Sequence, residues 1–350
     1  MRELAAVLAI DGGNSKTEVA LVGSDGTILS AVRGGPSNHQ NIGVEAASSE
    51  LMTLVRKAAE LAGLSADEAI ATHTSACLAG ADLPVEEADL NRLVQSFGWS
   101  ATSSVVNDTF AVLRAGLADD GPLWGIGAVC GAGTNCAGTG PDGEEFRFLA
   151  LGQISGDWGG GGDLGPEALW WAVRAEDGRG PQTELRKAVA AYFDVERVED
   201  VTVGLHLGTI PYLELHGLVP VLFEVAGRGD QVAREVLRRQ AEEICLMVEV
   251  AARHLGLASA SADLGGSAGE SAGLAAVRPV PVVLGGSIMA ARDPLLTSAI
   301  TGRLTASIPG AEIRIVDVPP VVGAALLGLD HVGAPASAAA RLRVCARTTW

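Results

Sequence analysis

Two glycine-rich segments of the chain have the composition of phosphate-binding turns. Each leads an apolar run into glycine, hydroxyl and amide residues and then into a second apolar run. Glycines in such turns let backbone N–H groups approach phosphate oxygens, because no Cβ stands in the way. One such turn is common in α/β proteins, but two in one chain favour a nucleotide site. The first turn is Asp11, Gly12, Gly13, Asn14, Ser15, Lys16 and Thr17, and the second turn is Gly131, Ala132, Gly133, Thr134 and Asn135.

The apolar run that leaves the first turn, residues 18–23, is extended in character and carries β-branched residues. We therefore expect the first turn to join two strands and not a strand and a helix. In that respect it differs from the Rossmann turn and from the Walker loop, both of which open a helix.

Asp11 stands at the end of the first predicted strand, directly before the glycines. An aspartate before glycine can simply bond its own backbone within a turn. Beside bound phosphates the same carboxylate can coordinate Mg²⁺ through water, because that ion prefers oxygen ligands. We expect the second role.

Asp108 follows another apolar strand, in the run Val105-Val106-Asn107-Asp108-Thr109. It can cap the helix that comes next, a contribution of ~1 kcal/mol. It can also act as a general base, because ligands of α/β proteins bind at the carboxyl ends of strands. Phosphoryl transfer to a hydroxyl needs a carboxylate that orients the acceptor, and Asp108 suits that task.

Three further clusters have both a functional and a structural interpretation. Gly156 and Asp157 lie in a glycine-dense stretch, which is either a flexible linker or a backbone that approaches a ligand closely. Ser37, Asn38 and His39 form a polar loop, where side chains are ordinarily solvated. Gly285, Gly286 and Ser287 follow an apolar strand and either contact an adenosine or allow tight packing of a helix.

The sequence also predicts the strands and helices that must position these residues. Short apolar strands alternate with helices of 3.6-residue apolar period, which predicts an α/β fold. We predict domains over 1–120 and 121–332 and a flexible tail over 333–350. Beyond the two turns, strands are expected at 4–32, 69–78, 104–106 and 280–284, helices at 44–62, 85–97, 183–193, 231–254 and 321–328, and a surface loop at 258–276.

Composition narrows the classes of partner. A hydrophobic content of 48% over 350 residues allows a sizeable core. The net charge of −17 argues against nucleic acid or an anionic membrane as a partner. No apolar run approaches the ~18 residues of a membrane span, and the N-terminus shows no secretory leader. The five cysteines lack metal-ligand spacing, so we expect a cytoplasmic protein with reduced thiols.

Taken together, these segments resemble the superfamily of acetate and sugar kinases, heat-shock ATPases and actin. Within it they are most similar to the N-acetylglucosamine kinase family, which is related to the BadF/BadG/BcrA/BcrD ATPases. The resemblance covers the chain from its start to about residue 328, and the two turns and the pair Asn107 and Asp108 are its most specific parts. It implies two ribonuclease-H-like domains that close over ATP, Mg²⁺ and an amino sugar, and it leaves open whether the protein forms a homodimer.

The resemblance also implies roles for individual residues. The catalytic base is expected at Asp108, and Asp11 is expected to hold hydrated Mg²⁺. The other expected contacts are with phosphate in both turns, chiefly at Thr17, Thr134 and Asn135, with adenosine at Gly285, Gly286 and Ser287, and with sugar at Ser37, Asn38, His39, Asn107, Asp108, Gly156 and Asp157.

The sequence departs from the family pattern beside the predicted sugar pocket. Trp158 replaces the glutamate that follows the family's Gly-Asp pair, and four glycines come after it. Leu151 replaces the tryptophan that usually precedes this loop. Thr134 stands where the second turn of the family has serine. We expect residues 158–162 to form a lid over the sugar.

The leading hypothesis is a kinase that transfers the γ-phosphoryl group of ATP to the 6-hydroxyl of N-acetylglucosamine or glucosamine. A second hypothesis is an ATPase that activates a dehydratase or reductase through a bridging iron–sulfur cluster, which needs a cysteine from each subunit at a dimer interface. Cys130 and Cys136 lie in or against the second turn, a poor position for that bridge. A third hypothesis is a sugar sensor without catalysis, which the retained Asp11 and Asp108 disfavour.

Overall fold

Two mixed β-sheets form the frame of the part of the chain that the structure describes. The structure is a computed structural model that describes residues 4–65, 68–258 and 278–350. The expected α/β fold class is confirmed, whereas the loop expected at 258–276 lies, from residue 259 on, outside the described residues. None of the described helices is long and apolar enough to cross a membrane.

The two sheets have the same topology. The first sheet contains β1 (Ala5–Gly12), β2 (Thr17–Val22), β3 (Ile28–Gly34), β4 (Ala71–Leu78) and β5 (Ser100–Asn107). The second contains β6 (Gly125–Cys130), β7 (Thr134–Thr139), β8 (Glu145–Arg147), β9 (Val280–Gly285) and β10 (Ala311–Ile315). The order is β3-β2-β1-β4-β5 in the first sheet and β8-β7-β6-β9-β10 in the second. Each begins as an antiparallel meander and continues with parallel strands, as two ribonuclease-H-like domains require.

Helices cover the sheets and fill a long insert between β8 and β9. The N-terminal helices are α1 (His39–Ile42), α2 (Val44–Ala62), α3 (Pro84–Ser96) and α4 (Asp108–Gly116). The insert carries α5 (Gly161–Glu176), α6 (Leu185–Tyr192), α7 (Val198–Leu207), α8 (Leu218–Gly227) and α9 (Gln231–His254), with 3₁₀ turns at Gly152–Ser155 and Tyr212–Gly217. The C-terminal helices are α10 (Ser287–Ala290), α11 (Pro294–Ser307), α12 (Pro320–His331) and α13 (Ala336–Thr349).

Two helices cross from one sheet to the other. Helix α4 follows β5 of the first sheet but packs on the second, where Val112 and Leu113 join Val283 in one apolar cluster. Helix α12 follows β10 of the second sheet but packs on β1 and β4 of the first. The predicted boundary at 332 therefore does not follow the packing of α12, because its apolar residues, among them Val321, are buried with the first sheet.

The C-terminal residues form α13 in place of the flexible tail predicted for 333–350. Ala338 and Leu342 of this helix are buried in the core beside the first sheet. The Arg343 guanidinium donates to the backbone carbonyls of Ala115 and Leu117 and so satisfies the C-terminal end of α4. These contacts join residues more than two hundred positions apart, which is why the local sequence did not predict them.

Gly323 lets α12 cross α4 closely, since a Cβ at this position would overlap the carbonyl oxygen of Ala111. We expect Gly323→Ala to lower the free energy of unfolding by about 1–3 kcal/mol through overpacking. The matched control is Gly302→Ala on α11, where a new Cβ meets nothing within 4 Å and higher helix propensity adds up to ~1 kcal/mol. Urea unfolding of both variants measures the difference, and equal stabilities would contradict the close crossing.

Candidate active site

Three aspartates gather at one edge of the first sheet. Strands β1, β4 and β5 are neighbours and run parallel, so their carboxyl ends meet at the edge where α/β proteins bind ligands. Asp11 lies near the end of β1, Asp82 follows β4 after a short loop, and Asp108 follows β5 directly. Sequence reasoning missed Asp82, although an acid just beyond a predicted strand was the same signal that identified Asp108.

The first turn joins β1 to β2 as the predicted antiparallel hairpin. Its Gly13 N–H donates to the Lys16 carbonyl at 2.9 Å and closes the turn. The backbone N–H groups of Asn14, Ser15 and Lys16 have no hydrogen-bond partner among the described residues. Free backbone donors in a turn of this kind suit phosphate oxygens.

The second turn joins β6 to β7 and has the same character. The Gly131 N–H donates to the Gly133 carbonyl at 2.9 Å. The N–H groups of Ala132 and Gly133 have no hydrogen-bond partner within the described parts of the chain. Both turns therefore present backbone donors to the space beside them.

The threonine hydroxyls of the two turns point to protein partners. Thr17 donates its hydroxyl to Ser37 Oγ at 2.8 Å, and Thr134 donates to Cys130 Sγ at 3.9 Å. Both threonines are buried. In this structure the backbone N–H groups, and not these hydroxyls, are the accessible donors of the turns.

The glycine run after Trp158 packs on the second turn, in place of the lid expected over the sugar. The Gly161 N–H donates to the Gly131 carbonyl at 2.8 Å, at the start of α5. Gly160 has a φ of +74°, and a Cβ there would lie 2.6 Å from the backbone of Gly133. A glycine is therefore required where the start of α5 meets the second turn.

Gln240 is a polar side chain that is fully buried on the apolar face of α9. Its Oε1 accepts the Gly160 N–H at 2.8 Å, and its Nε2 lies 3.5 Å from Thr134 Oγ1. Gln240 thus fixes the glycine run and the second turn relative to each other. Sequence reasoning missed it, although a glutamine in line with Val236 and Ile244 on the apolar face was an available signal.

The predicted sugar loop is fastened to the first turn. Asn38 Nδ2 donates to Asn14 Oδ1 at 2.7 Å, and Asn38 Oδ1 accepts the Gln40 N–H at 2.8 Å as the cap of α1. The Ser37 N–H donates to the Gly13 carbonyl at 3.2 Å. The first turn and the predicted sugar loop are therefore held together by both side-chain and backbone hydrogen bonds.

Asn107, and not Asp108, caps α4, because Asn107 Oδ1 accepts the Thr109 N–H at 2.9 Å. Asp108 is half-buried at the first position of the helix and is free of the capping role. Burial raises the pKa of Asp108 to about 6, although backbone hydrogen bonds from Thr109 and Asp108 oppose the rise. A carboxylate with this pKa is ionised at neutral pH and can still accept a proton, as a general base must.

Asp11 is buried near the end of β1 and accepts no hydrogen bond from the described residues. Burial, followed by the charges of Asp108 and Glu18, raises the pKa of Asp11 to about 8, while Lys16 opposes the rise. A cation beside Asp11 would remove this penalty, so its surroundings fit hydrated Mg²⁺. No group of three His, Cys, Asp or Glu side chains among the described residues forms a metal cage, so water and phosphate oxygens would supply most ligands, as is usual for Mg²⁺.

Two polar contacts join the domains beside this edge. Asn135 Nδ2 on β7 donates to Asn107 Oδ1 at 3.2 Å. Arg147 on β8 pairs with Glu87 on α3 through two bonds of 2.5 and 2.8 Å. The second turn is therefore held directly opposite the start of α4.

Some predicted sugar contacts lie apart from this network. Asp157 Oδ2 accepts the Ser155 hydroxyl at 2.5 Å, and no hydrogen bond connects it to Asp108 among the described residues. Gly156 ends the 3₁₀ turn with a φ of +86°, and His39 is half-buried at the start of α1. Among the described residues, no hydrogen bond therefore joins the loop of Asp157 to Asn107 and Asp108, and its contact with the sugar stays a prediction.

The predicted adenosine loop, residues 285–287, borders the second turn. The Ser287 N–H lies 3.7 Å from the position that a Cβ on Gly131 would occupy. The two glycines of the loop also allow close packing against α4 and β6. The loop has a structural role whether or not a nucleotide contacts it.

Three comparisons place this geometry among known proteins. The family model described as the BadF/BadG/BcrA/BcrD ATPase family matches residues 8–328 of this chain. An N-acetylmuramic acid/N-acetylglucosamine kinase of Clostridium acetobutylicum is 29% identical over 69% of this chain and 78% of its own length. An N-acetyl-D-glucosamine kinase of Dictyostelium discoideum is 28% identical over 92% of this chain and 97% of its own length.

A solved structure is similar over nearly the whole chain. It is a candidate N-acetylglucosamine kinase from Chromobacterium violaceum, with a TM-score of 0.69 and 24% identity. The match covers 93% of this chain and 99% of that one. At this identity the likeness establishes the fold alone.

The raised pKa of Asp11 predicts that its charge destabilises the protein without ligands. Because the folded pKa of about 8 exceeds the ordinary value of ~3.9, the cost grows as pH rises from about 4 to about 8 and is complete above that. We expect Asp11→Asn to raise the Tm by a few degrees (roughly 2–6 °C) at pH 8.5 and by almost nothing at pH 4. The exposed Asp142→Asn is the control. A Tm difference for Asp11→Asn that is absent at pH 8.5, or equal at both pH values, contradicts this account.

Proposed function

The chain belongs to the BadF/BadG/BcrA/BcrD ATPase family, and on that premise we propose that it is an ATP-dependent amino-sugar kinase. The reaction moves the γ-phosphoryl group of ATP to the 6-hydroxyl of N-acetylglucosamine or glucosamine. The products are the sugar 6-phosphate and ADP. The two kinases of N-acetylglucosamine to which the chain is similar support this class of acceptor.

One observation carries the proposal. A hairpin turn with free backbone donors directly follows Asp11 at the sheet edge that also bears Asp108, and a second such turn is tied to this edge by the hydrogen bond from Asn135 to Asn107. The turns supply what phosphates need, and the carboxylates supply what a metal ion and an acceptor hydroxyl need. A site that only bound a sugar would require neither the paired turns nor the buried Asp11.

In the proposed reaction, Asp108 accepts the proton of the sugar hydroxyl while that oxygen bonds to the γ-phosphorus. The bond between the γ-phosphorus and the oxygen bridging to the β-phosphorus breaks, and ADP leaves with that oxygen. The backbone N–H groups of both turns hold the β- and γ-phosphates and spread their charge. Mg²⁺, when bound through water by Asp11, neutralises further phosphate charge.

The sugar pocket is proposed to include Asn38 and Asp157. Its selectivity is expected to differ from that of the family because Trp158 replaces the glutamate. The Arg239 guanidinium carbon lies 3.8 Å from the centre of the Trp158 ring, so this side chain is engaged within the second domain.

Activation of a dehydratase through a bridging iron–sulfur cluster is not favoured. Such a cluster needs thiolates at a subunit interface. Cys77, Cys130, Cys136 and Cys245 are all buried, and burial raises the pKa of Cys130 to about 12. Cys345 is partly exposed, but it lies on α13, beyond the residues 8–328 that the family model matches. We propose that the kinase works in the cytoplasm, where ATP is available and where its five free thiols stay reduced.

Release of ADP in the presence of ATP, Mg²⁺ and a panel of amino sugars tests the proposed function. We expect release that depends on N-acetylglucosamine or glucosamine. Asp108→Asn should reduce that rate at least ~100-fold, because the base is lost, while ATP affinity stays nearly unchanged. The exposed Asp120→Asn is the matched control. No sugar-dependent release across the panel, or near-normal turnover of Asp108→Asn, would rule out the proposal as stated.

The pKa of Asp108 predicts the pH dependence of turnover. Because only the ionised carboxylate accepts a proton, kcat/KM for the sugar should rise with pH through the pKa of Asp108, which burial raises to about 6 in the free protein, and then level off. Below the inflection kcat/KM should fall about tenfold per pH unit. Saturating Mg²⁺ and ATP are used so that Asp11 stays ionised during the measurement. A kcat/KM for the sugar that is constant from pH 5 to pH 7 would contradict the raised pKa of Asp108.

A further inference from the structure

A chain of hydrogen bonds connects the two turns, and every link except that of the Gln40 backbone N–H joins two side chains. It runs from the first turn through the sugar loop and the acidic edge to the second turn. The contacts are Asn38 Nδ2 to Asn14 Oδ1 (2.7 Å), Gln40 N to Asn38 Oδ1 (2.8 Å), Gln40 Nε2 to Asp82 Oδ2 (3.4 Å), Asn107 Nδ2 to Asp82 Oδ1 (2.8 Å) and Asn135 Nδ2 to Asn107 Oδ1 (3.2 Å).

Asp82 is the one charged member of this chain. Its Oδ1 accepts from Asn107 at 2.8 Å, and its Oδ2, at 3.4 Å, shares the Gln40 amide donor with the Gly80 carbonyl at 3.3 Å and Glu86 Oε1 at 3.1 Å. Its carboxylate takes no part in holding its own loop, because the Asp82 N–H bonds separately to Glu86 Oε2 at 3.0 Å. The carboxylate is therefore not needed for the local backbone conformation. Its partners are Gln40 of the sugar loop and Asn107 at the start of α4.

The side-chain amide of Asn107 must keep one orientation. Its Oδ1 accepts from the Thr109 N–H at 2.9 Å and from Asn135 Nδ2 at 3.2 Å. Its Nδ2 then has to face an acceptor, and Asp82 Oδ1 is that acceptor at 2.8 Å. If Asp82 offered a donor instead, a flipped Asn107 amide would lose both the cap of α4 and the contact with Asn135.

We propose that Asp82 is a positioning residue that fixes the second turn against the first through Asn107 and Asn135, and that it thereby sets the affinity for ATP. The inference rests on the proposed use of ATP but not on the identity of the sugar. Asp82 acts without touching the nucleotide, since the hydrogen bonds of its carboxylate go to Gln40 and Asn107.

Asp82→Asn tests this role, because the amide keeps the size of the carboxylate while it loses the charge and one acceptor. The probe is a non-hydrolysable ATP analogue with Mg²⁺, titrated calorimetrically at pH 8. Burial and the charge of Asp108 raise the pKa of Asp82 to about 7, and pH 8 is above that value, so the carboxylate is ionised. We expect binding about tenfold weaker than in the wild type, with a Tm unchanged within about 2 °C. Asp82→Ala, which cannot re-form the bond to Asn107, should lose at least as much. Asp89→Asn on α3, which is exposed, is the matched control.

A double-mutant cycle separates this role from a general loss of structure. If Asp82 acts through Asn107 and Asn135, the variant that combines Asp82→Asn with Asn135→Ala binds the analogue no more weakly than Asn135→Ala alone. Affinity of Asp82→Asn within twofold of wild type, or losses that multiply in the double variant, would overturn the inference. Absence of sugar-dependent ADP release would contradict the proposed function while leaving this binding test intact.

Discussion

Burial of carboxylates at one edge of the first sheet is the constraint on which the site depends. Asp11 is buried and Asp108 is half-buried, and burial raises the pKa values of both; the charges of Asp108 and Glu18 raise the pKa of Asp11 further. Such an arrangement is unfavourable in the free protein, because the charged forms lack solvation. In the proposed function, a hydrated cation beside Asp11 and phosphates held by the two turns would offset this cost.

Two features of the fold position this edge: both domains have the same sheet topology, and each packs one helix on the sheet of the other. Each domain contributes one hairpin turn from the same position in its topology. Helices α4 and α12 each pack on the sheet of the other domain and meet closely at Gly323. Since α4 begins at Asp108, its packing on the second sheet ties the proposed base to the domain that carries the second turn. Asn107 and Asn135 make the same connection through a direct hydrogen bond.

Local patterns in the sequence predicted the features that depend on neighbouring residues. Both hairpins, the alternation of strands and helices, and the long helix α9 follow from apolar period and glycine placement. The features that sequence reasoning missed depend on residues far apart in the chain: α13 on the end of α4, the glycine run on the second turn, and Gln240 beneath both. Asp82 could have been found by the rule that selected Asp108, but only after β4 was placed beside β1 and β5.

A crystal structure with N-acetylglucosamine, Mg²⁺ and a non-hydrolysable ATP analogue is the most direct test of the central claim. The account predicts that the β- and γ-phosphates accept hydrogen bonds from the backbone N–H groups of residues 14–16 and 132–133. It also predicts the sugar 6-hydroxyl within hydrogen-bond distance of the Asp108 carboxylate and in line with the γ-phosphorus. A nucleotide bound away from the two turns, or a sugar whose 6-hydroxyl faces away from Asp108, would contradict it.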